Sequence, residues 1–208
     1  MGNRCVITTP QRRVGLYLHW NGSIDTVEPL LKYCELKGYR SPEADCYGWA
    51  RMCAVMCNFF GGTLSVGIDA YIDDERENPG DHGIYVISNW KVVERVYPYD
   101  GYEEIREHDF DGMLRALDDA MPEGERLGEF LDSVEIPATE LVAGDMVWVR
   151  GIRDAWELHE VAGFGKPRSR CGEGPDMPYV KRYDHDGDWS WNPNNRIEEK
   201  SVLIVDRK

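Results

Sequence analysis

Long apolar runs are missing from this chain of 208 residues: no stretch approaches the roughly 20 consecutive apolar residues of a membrane-spanning helix, and mean hydropathy is -0.53. A membrane span is not expected. An apolar leader is missing as well, since Met1-Gly2-Asn3-Arg4-Cys5-Val6 runs straight into strand-like sequence, and the expected compartment is therefore the cytoplasm. The six cysteines, Cys5, Cys34, Cys46, Cys53, Cys57 and Cys171, contain no C-x-x-C pair, so a structural zinc ribbon is not expected. Bases are scarce: 24 Lys and Arg stand against 38 Asp and Glu, for a net charge of -14. The deficit is local, because residues 73–140 hold 6 bases and 20 acids while the flanking thirds are nearly balanced. A field of that sign repels nucleic-acid phosphates, so direct nucleic-acid contact through this region is not expected.

What is present begins with β-forming sequence. Arg4 to Thr9 and Val14 to Trp20 are rich in β-branched and aromatic residues on either side of Pro10-Gln11-Arg12-Arg13, which predicts an opening hairpin. Asn21-Gly22-Ser23 then breaks the strand. Val27, Leu30, Leu31 and Cys34 recur at helical spacing before Gly38, which predicts a helix over about 24–37. A second helix is expected to start at Ser41-Pro42-Glu43, with Ser41 as its cap, and to reach about Phe60. Cys46, Cys53 and Cys57 fall on one stripe of it with Trp49, Ala50 and Phe60, a pattern that assigns the three thiols to the core.

Leu64 to Ile72 reads as a strand, Asp73 to Asp81 as an acidic loop with a turn at Asn78-Pro79-Gly80, and Gly83 to Ile87 with Lys91 to Tyr97 as a second hairpin. Phe110, Met113, Leu114, Leu117 and Met121, and then Leu127, Phe130, Leu131 and Val134, repeat at helical spacing, which predicts two acidic amphipathic helices. After Ile136 come short strands: Met146 to Val149 behind a tight turn at Ala143-Gly144-Asp145, Trp156 to Val161, and Ser201 to Val205. The expected class is α+β. It has an N-terminal mixed or antiparallel sheet with covering helices, an acidic helical middle, and C-terminal short strands that extend the sheet or form a small barrel. The expected division is 1–135 and 136–208, the second stretch being either a separate unit or a β extension of the same domain.

The segment Val14-Gly15-Leu16-Tyr17-Leu18-His19-Trp20-Asn21-Gly22, preceded by Arg4 and followed by an amphipathic helix, resembles the N-terminus of uncharacterised bacteriophage and mobile-element proteins, which also place a His-Trp-acid/amide-Gly turn after a strand. The resemblance covers about 40 residues and implies a mobile-element origin without a reaction. On its own chemistry, His19 beside Trp20 and Asn21 marks a candidate pocket at the sheet rim. A second stretch, Asp45-Cys46-Tyr47-Gly48-Trp49, resembles the Asp-Cys-x-Gly-aromatic signature of papain-like bacterial cell-wall peptidases. That likeness implies Cys46 as nucleophile, a Gly144-Asp145 turn opening the next strand, and His159 as its base. Tyr47 stands where those enzymes usually carry serine, and about a hundred residues separate Cys46 from Gly144.

Metal and cofactor motifs are incomplete. Asp184, Asp186 and Asp188 alternate like the start of a calcium loop, but glycine falls at the fourth position and Asn195 stands where a closing glutamate belongs. Gly163-Phe164-Gly165-Lys166 lacks the Gly-Lys-Ser/Thr ending of a phosphate loop. No metal and no cofactor is expected.

Two function classes follow from these residues. The leading expectation is a non-enzymatic interaction protein of a phage or mobile element. It presents Asp73, Asp74, Glu75, Glu77, Glu103, Glu104, Glu107, Asp111, Asp118 and Asp119 to a basic host protein of the nucleic-acid-binding kind, as an anti-CRISPR-like inhibitor would. The alternative is a papain-like cysteine hydrolase that uses Cys46 and His159.

Overall fold

The opening hairpin forms as expected, with β1 (Cys5–Thr8) antiparallel to β2 (Val14–Leu18) and Ile7 opposite Leu16. It begins a computed structural model in which residues 2–97, 108–150, 156–165, 177–180, 197 and 201–205 are described. Two units divide the chain, Met1–Leu127 and Gly128–Lys208. The α+β class holds, with a sheet in each unit.

In the first unit the hairpin leads into α1 (Ile24–Leu36), α2 (Cys46–Phe59), β3 (Val66–Ala70), α3 (Asp74–Glu77), β4 (Ile84–Ser88), β5 (Lys91–Val96) and α4 (Phe110–Asp119). The sheet order is β3-β2-β1-β4-β5, and because β1 and β4 run parallel while the other pairs are antiparallel, the sheet is mixed. Central β1 and β4 are buried on both faces, which explains their unbroken apolar runs. Alternation sends Cys5, Ile7, Leu16 and Tyr85 to one face, where α1 lies against α2 and α4. Val6, Tyr17 and Ile84 point to the other face, where Tyr71 covers them.

The β4–β5 turn is set by Asn89 and Trp90, both at positive φ (47° and 61°) as a type I′ turn requires. That conformation is costly for a bulky side chain. Trp90 offsets it by burying its ring and donating Nε1–H to the carbonyl of Tyr39 at 2.8 Å.

Several expectations are corrected. α2 starts at Cys46, capped by Asp45 and not Ser41, because the Asp45 carboxylate accepts from the Tyr47 and Gly48 amides at 2.9 and 3.3 Å. Its buried face is Gly48, Trp49, Met52, Val55 and Met56. Cys46 is therefore exposed, Cys53 and Cys57 lie half-buried on the flank, and the fully buried thiols are Cys5 and Cys34. The acidic 73–81 loop holds one helical turn, α3, whose cap is Asp73.

A second acidic helix after α4 does not form. Gly128 takes φ +55°, residues Gly128–Asp132 close into a 3-10 turn, and Val134 opens a strand. The helical spacing of Leu127, Phe130, Leu131 and Val134 thus spans three different conformations.

The second unit contains β6 (Val134–Pro137), β7 (Met146–Arg150), β8 (Trp156–Gly165), β9 (Met177–Val180) and β10 (Ser201–Ile204). Its antiparallel order is β6-β10-β7-β8-β9. β6 joins this sheet by pairing with β10, so the division falls at 127/128, ahead of the expected 135/136. The strands neither extend the first sheet nor, among the described residues, close into a barrel. The turn at Gly144 (φ +96°) is as expected, and buried Asp145 braces it by accepting from the Val142 amide at 2.7 Å. No helix among the described residues is long and apolar enough to cross a membrane.

Candidate functional site

Cys46 is the first residue of a helix of 14 residues and is open to solvent. The residues around it are explained by packing. Asp45 caps α2 and pairs with Arg40 at 2.5 Å, and the Arg40 guanidinium also lies 5.3 Å from the centroid of the exposed Tyr47 ring. Gly48 lets the helix cross segment 40–42, since a Cβ there would sit 2.6 Å from the Arg40 oxygen and the Pro42 nitrogen. Trp49 enters the core. Three of the five residues that carry the peptidase likeness thus have structural work in this chain. Cys53, also on α2, has its thiol pushed up to about 11 by burial first and by neighbouring Cys57 second.

His159 belongs to the second unit and Cys46 to the first. On β8, His159 pairs in register with Val147, and its Nε2 lies 3.3 Å from a Glu157 carboxylate oxygen. That carboxylate favours an oriented imidazole.

His19 follows β2. Its amide donates to the Ser65 carbonyl at 2.9 Å, and its Nδ1 lies 2.9 Å from the Tyr17 hydroxyl. Trp20 stacks edge-on against it with centroids 5.0 Å apart and is exposed. Asn21 takes the left-handed conformation at φ +57°. Gly22 is required for a different reason from the turn conformation: a Cβ on it would lie 2.6 Å from the backbone of Arg4 and Cys5. The group is an aromatic rim on the hairpin.

The acids proposed for interaction do not form one surface. α3 lies over the sheet face opposite the helices: Asp74 accepts from the Arg12 guanidinium at 2.8 and 3.2 Å and from the Tyr71 hydroxyl, and Arg12 also reaches Glu94. Arg12 and Tyr71 hold the Asp74 carboxyl below the usual carboxylate range. Nearby, Arg4 bonds Asp81 at 2.6 Å and lowers its carboxyl likewise. Asp73 caps α3, Glu77 accepts from the Ile72 amide, and Glu75 is exposed.

On the helix side, Asp118 is buried, and its carboxylate accepts from the Leu127 amide at 2.5 Å, so it is removed from the interaction set. Glu125 accepts from the Tyr39 hydroxyl at 3.0 Å. Asp111, Asp119 and Glu123 are exposed and make no ion pair among the described residues. Glu103, Glu104 and Glu107 lie outside the described residues, as do Asp184, Asp186, Asp188, Asn195 and Cys171.

One polar group went unread in the sequence. His82 is buried behind the start of β4, and the Arg95 Nη2 donates to its carbonyl at 2.9 Å while the guanidinium lies 4.3 Å from the Tyr85 ring centroid. Burial first, and Arg95 second, push the His82 imidazole below its ordinary value. The Tyr85 hydroxyl is buried without a hydrogen-bond partner among the described residues. Comparison with protein-family models, with curated proteins and with solved structures gave no match.

Proposed function

We propose that this protein acts by binding. It presents the acidic ridge of α4 and the turn after it to a Lys/Arg-rich groove of a host nucleic-acid-binding protein, as a mobile-element inhibitor of a nucleic-acid-directed defence. The observation that carries the reading is that Asp111, Asp119 and Glu123 stand exposed on the helix side of the first unit with no ion pair among the described residues, whereas Asp74 and Asp81 on the opposite face are neutralised by Arg12 and Arg4. Exposed carboxylates without internal counterions can replace phosphates on a basic surface. The test is capture of host protein by the full chain across a salt series with competing duplex DNA. Binding that falls steeply with salt and is displaced by DNA supports the reading. Capture indifferent to both would overturn it.

A second reading is favoured by one observation, the exposure of Cys46 at the α2 N-terminus. On this reading the Cys46 sulfur attacks an acyl carbon, the bond to the leaving group breaks as that group takes up a proton, and water then hydrolyses the resulting thioester. Its test is iodoacetamide labelling of Cys46 at neutral pH. Modification much faster than that of a free thiol, together with loss of the biological effect in Cys46→Ala, would place hydrolysis first.

A further inference from the structure

We propose that the second unit carries a binding site for a small alkylated ammonium ion, formed by Trp148, Trp156 and Glu135. The strand register builds it. Leu203 pairs with Trp148 on one side and with Glu135 on the other, and Trp156 pairs with Arg150, so alternation brings Glu135, Trp148 and Trp156 to one face of the sheet. The opposite face holds the apolar core of Val147, Val202 and Ile204. A cavity of about 250 Å³ is lined, among the described residues, by the two tryptophans, Glu135, Ser201 and four aliphatic residues. That is smaller than the roughly 300–1,000 Å³ of drug-sized sites, so its occupant is small.

The chemistry of the lining selects a cation. Glu135 is the one ionisable side chain lining the cavity among the described residues; one of its oxygens accepts from the Ser201 hydroxyl at 2.5 Å. Among the described residues, both indole Nε1–H groups are buried without an acceptor, a cost that phenylalanine at either position would avoid. What tryptophan offers over phenylalanine is the strongest π-face for a cation. One cation already uses it, since the Arg150 guanidinium lies 5.0 Å from the Trp156 ring centroid. Phe130 braces both indoles, at centroid distances of 5.3 and 5.1 Å.

The rest of the lining selects alkylation. Among the described lining the side-chain acceptors are Glu135 and the Ser201 oxygen, and Leu203 beside them on this face offers none. A bare ammonium would satisfy its N–H donors on these two groups only in part and turn the rest to Leu203 and the indoles, whereas N-methyl groups suit those surfaces. Two sources share this chemistry: a free choline-type molecule and a methylated lysine side chain.

The experiment titrates the full chain by NMR, following the indole N–H resonances, with choline, with its neutral carbon isostere 3,3-dimethylbutan-1-ol, and with one peptide in trimethyllysine and unmodified forms. The expected result is saturable shifts with an ammonium ligand and binding about tenfold weaker for the neutral isostere. Glu135→Gln, checked for folding by circular dichroism, is expected to weaken the ammonium by about tenfold as well. Tighter binding of the methylated peptide than of choline assigns the lysine source, and the reverse assigns the free molecule. Equal binding of choline and the isostere, or no saturable shift with any ammonium ligand, would overturn the proposal without recourse to a variant.

Discussion

Asp111 and Asp118 lie on the same helix, yet the fold gives them opposite roles. Asp118 is buried and ties α4 to Leu127, whereas Asp111 faces solvent. Replacing Asp118 with Ala leaves the Leu127 amide without its acceptor and is expected to cost about 1–3 kcal/mol in urea unfolding, while Asp111→Ala changes stability by less than about 0.5 kcal/mol. Equal effects would return Asp118 to the surface set. His82 supplies a pH dependence. Burial, reinforced by Arg95 and opposed by Asp81 and Asp25, depresses its pKa in the fold. The unfolded chain then binds the extra proton first as pH falls, so this contribution is complete above about pH 6.5 and is lost as pH drops through the folded value. Asp74 and Asp81, held low by Arg12 and Arg4, work in the same sense below about pH 4. The urea midpoint is expected to fall on acidification from pH 7 to 5. His82→Gln should flatten that fall and leave the loss below about pH 4 in place, and an unchanged slope in the variant would contradict the assignment.

At the scale of elements, α2 shows how packing fixes a motif. Gly48→Ala drives a methyl into the backbone of residues 40–42 and is expected to destabilise the chain by about 1–3 kcal/mol, whereas exposed Cys46→Ser is nearly neutral for folding. Thermal melts of the two variants check this, and a Gly48→Ala protein as stable as wild type would contradict the close crossing. Both hairpins and the span of α1 were legible because turn residues and apolar periodicity agreed there. Three features were not. The α2 thiols kept a helical stripe with Trp49, but the core chose the neighbouring stripe of Met52, Val55 and Met56, a choice made by what the helix meets. Leu127 to Val134 mimicked a helix until Gly128 and the pairing of β6 with β10 overrode the spacing. His82, Tyr85 and Arg95 gave no motif, since only the sheet brings them together. Of the candidate acids, helical spacing identified the exposed Asp111 and Asp119. It could not show that α3 and α4 lie on opposite faces of a sheet.

At the scale of the whole molecule, the charge of -14 gathers in the sequence between residues 73 and 140, and within the first unit the described acids of that stretch separate in space. The first sheet lies between them, with Arg4 and Arg12 neutralising Asp81 and Asp74 on one side while Asp111, Asp119 and Glu123 are exposed on the other. On the proposed reading binding falls on the α4 side, and exposed Glu75 on α3 serves as a single-charge control on the other face. Reversing exposed charges alters folding little, within about 1 kcal/mol, so binding and stability can be separated. The most direct measurement is capture of the host partner by four versions of the full chain: wild type, the triple variant Asp111→Lys, Asp119→Lys, Glu123→Lys, the control Glu75→Lys, and Cys46→Ala. The account predicts that the triple variant loses at least about tenfold in affinity at low salt while the control and Cys46→Ala bind as wild type does. Full binding by the triple variant, with activity lost in Cys46→Ala, would contradict it.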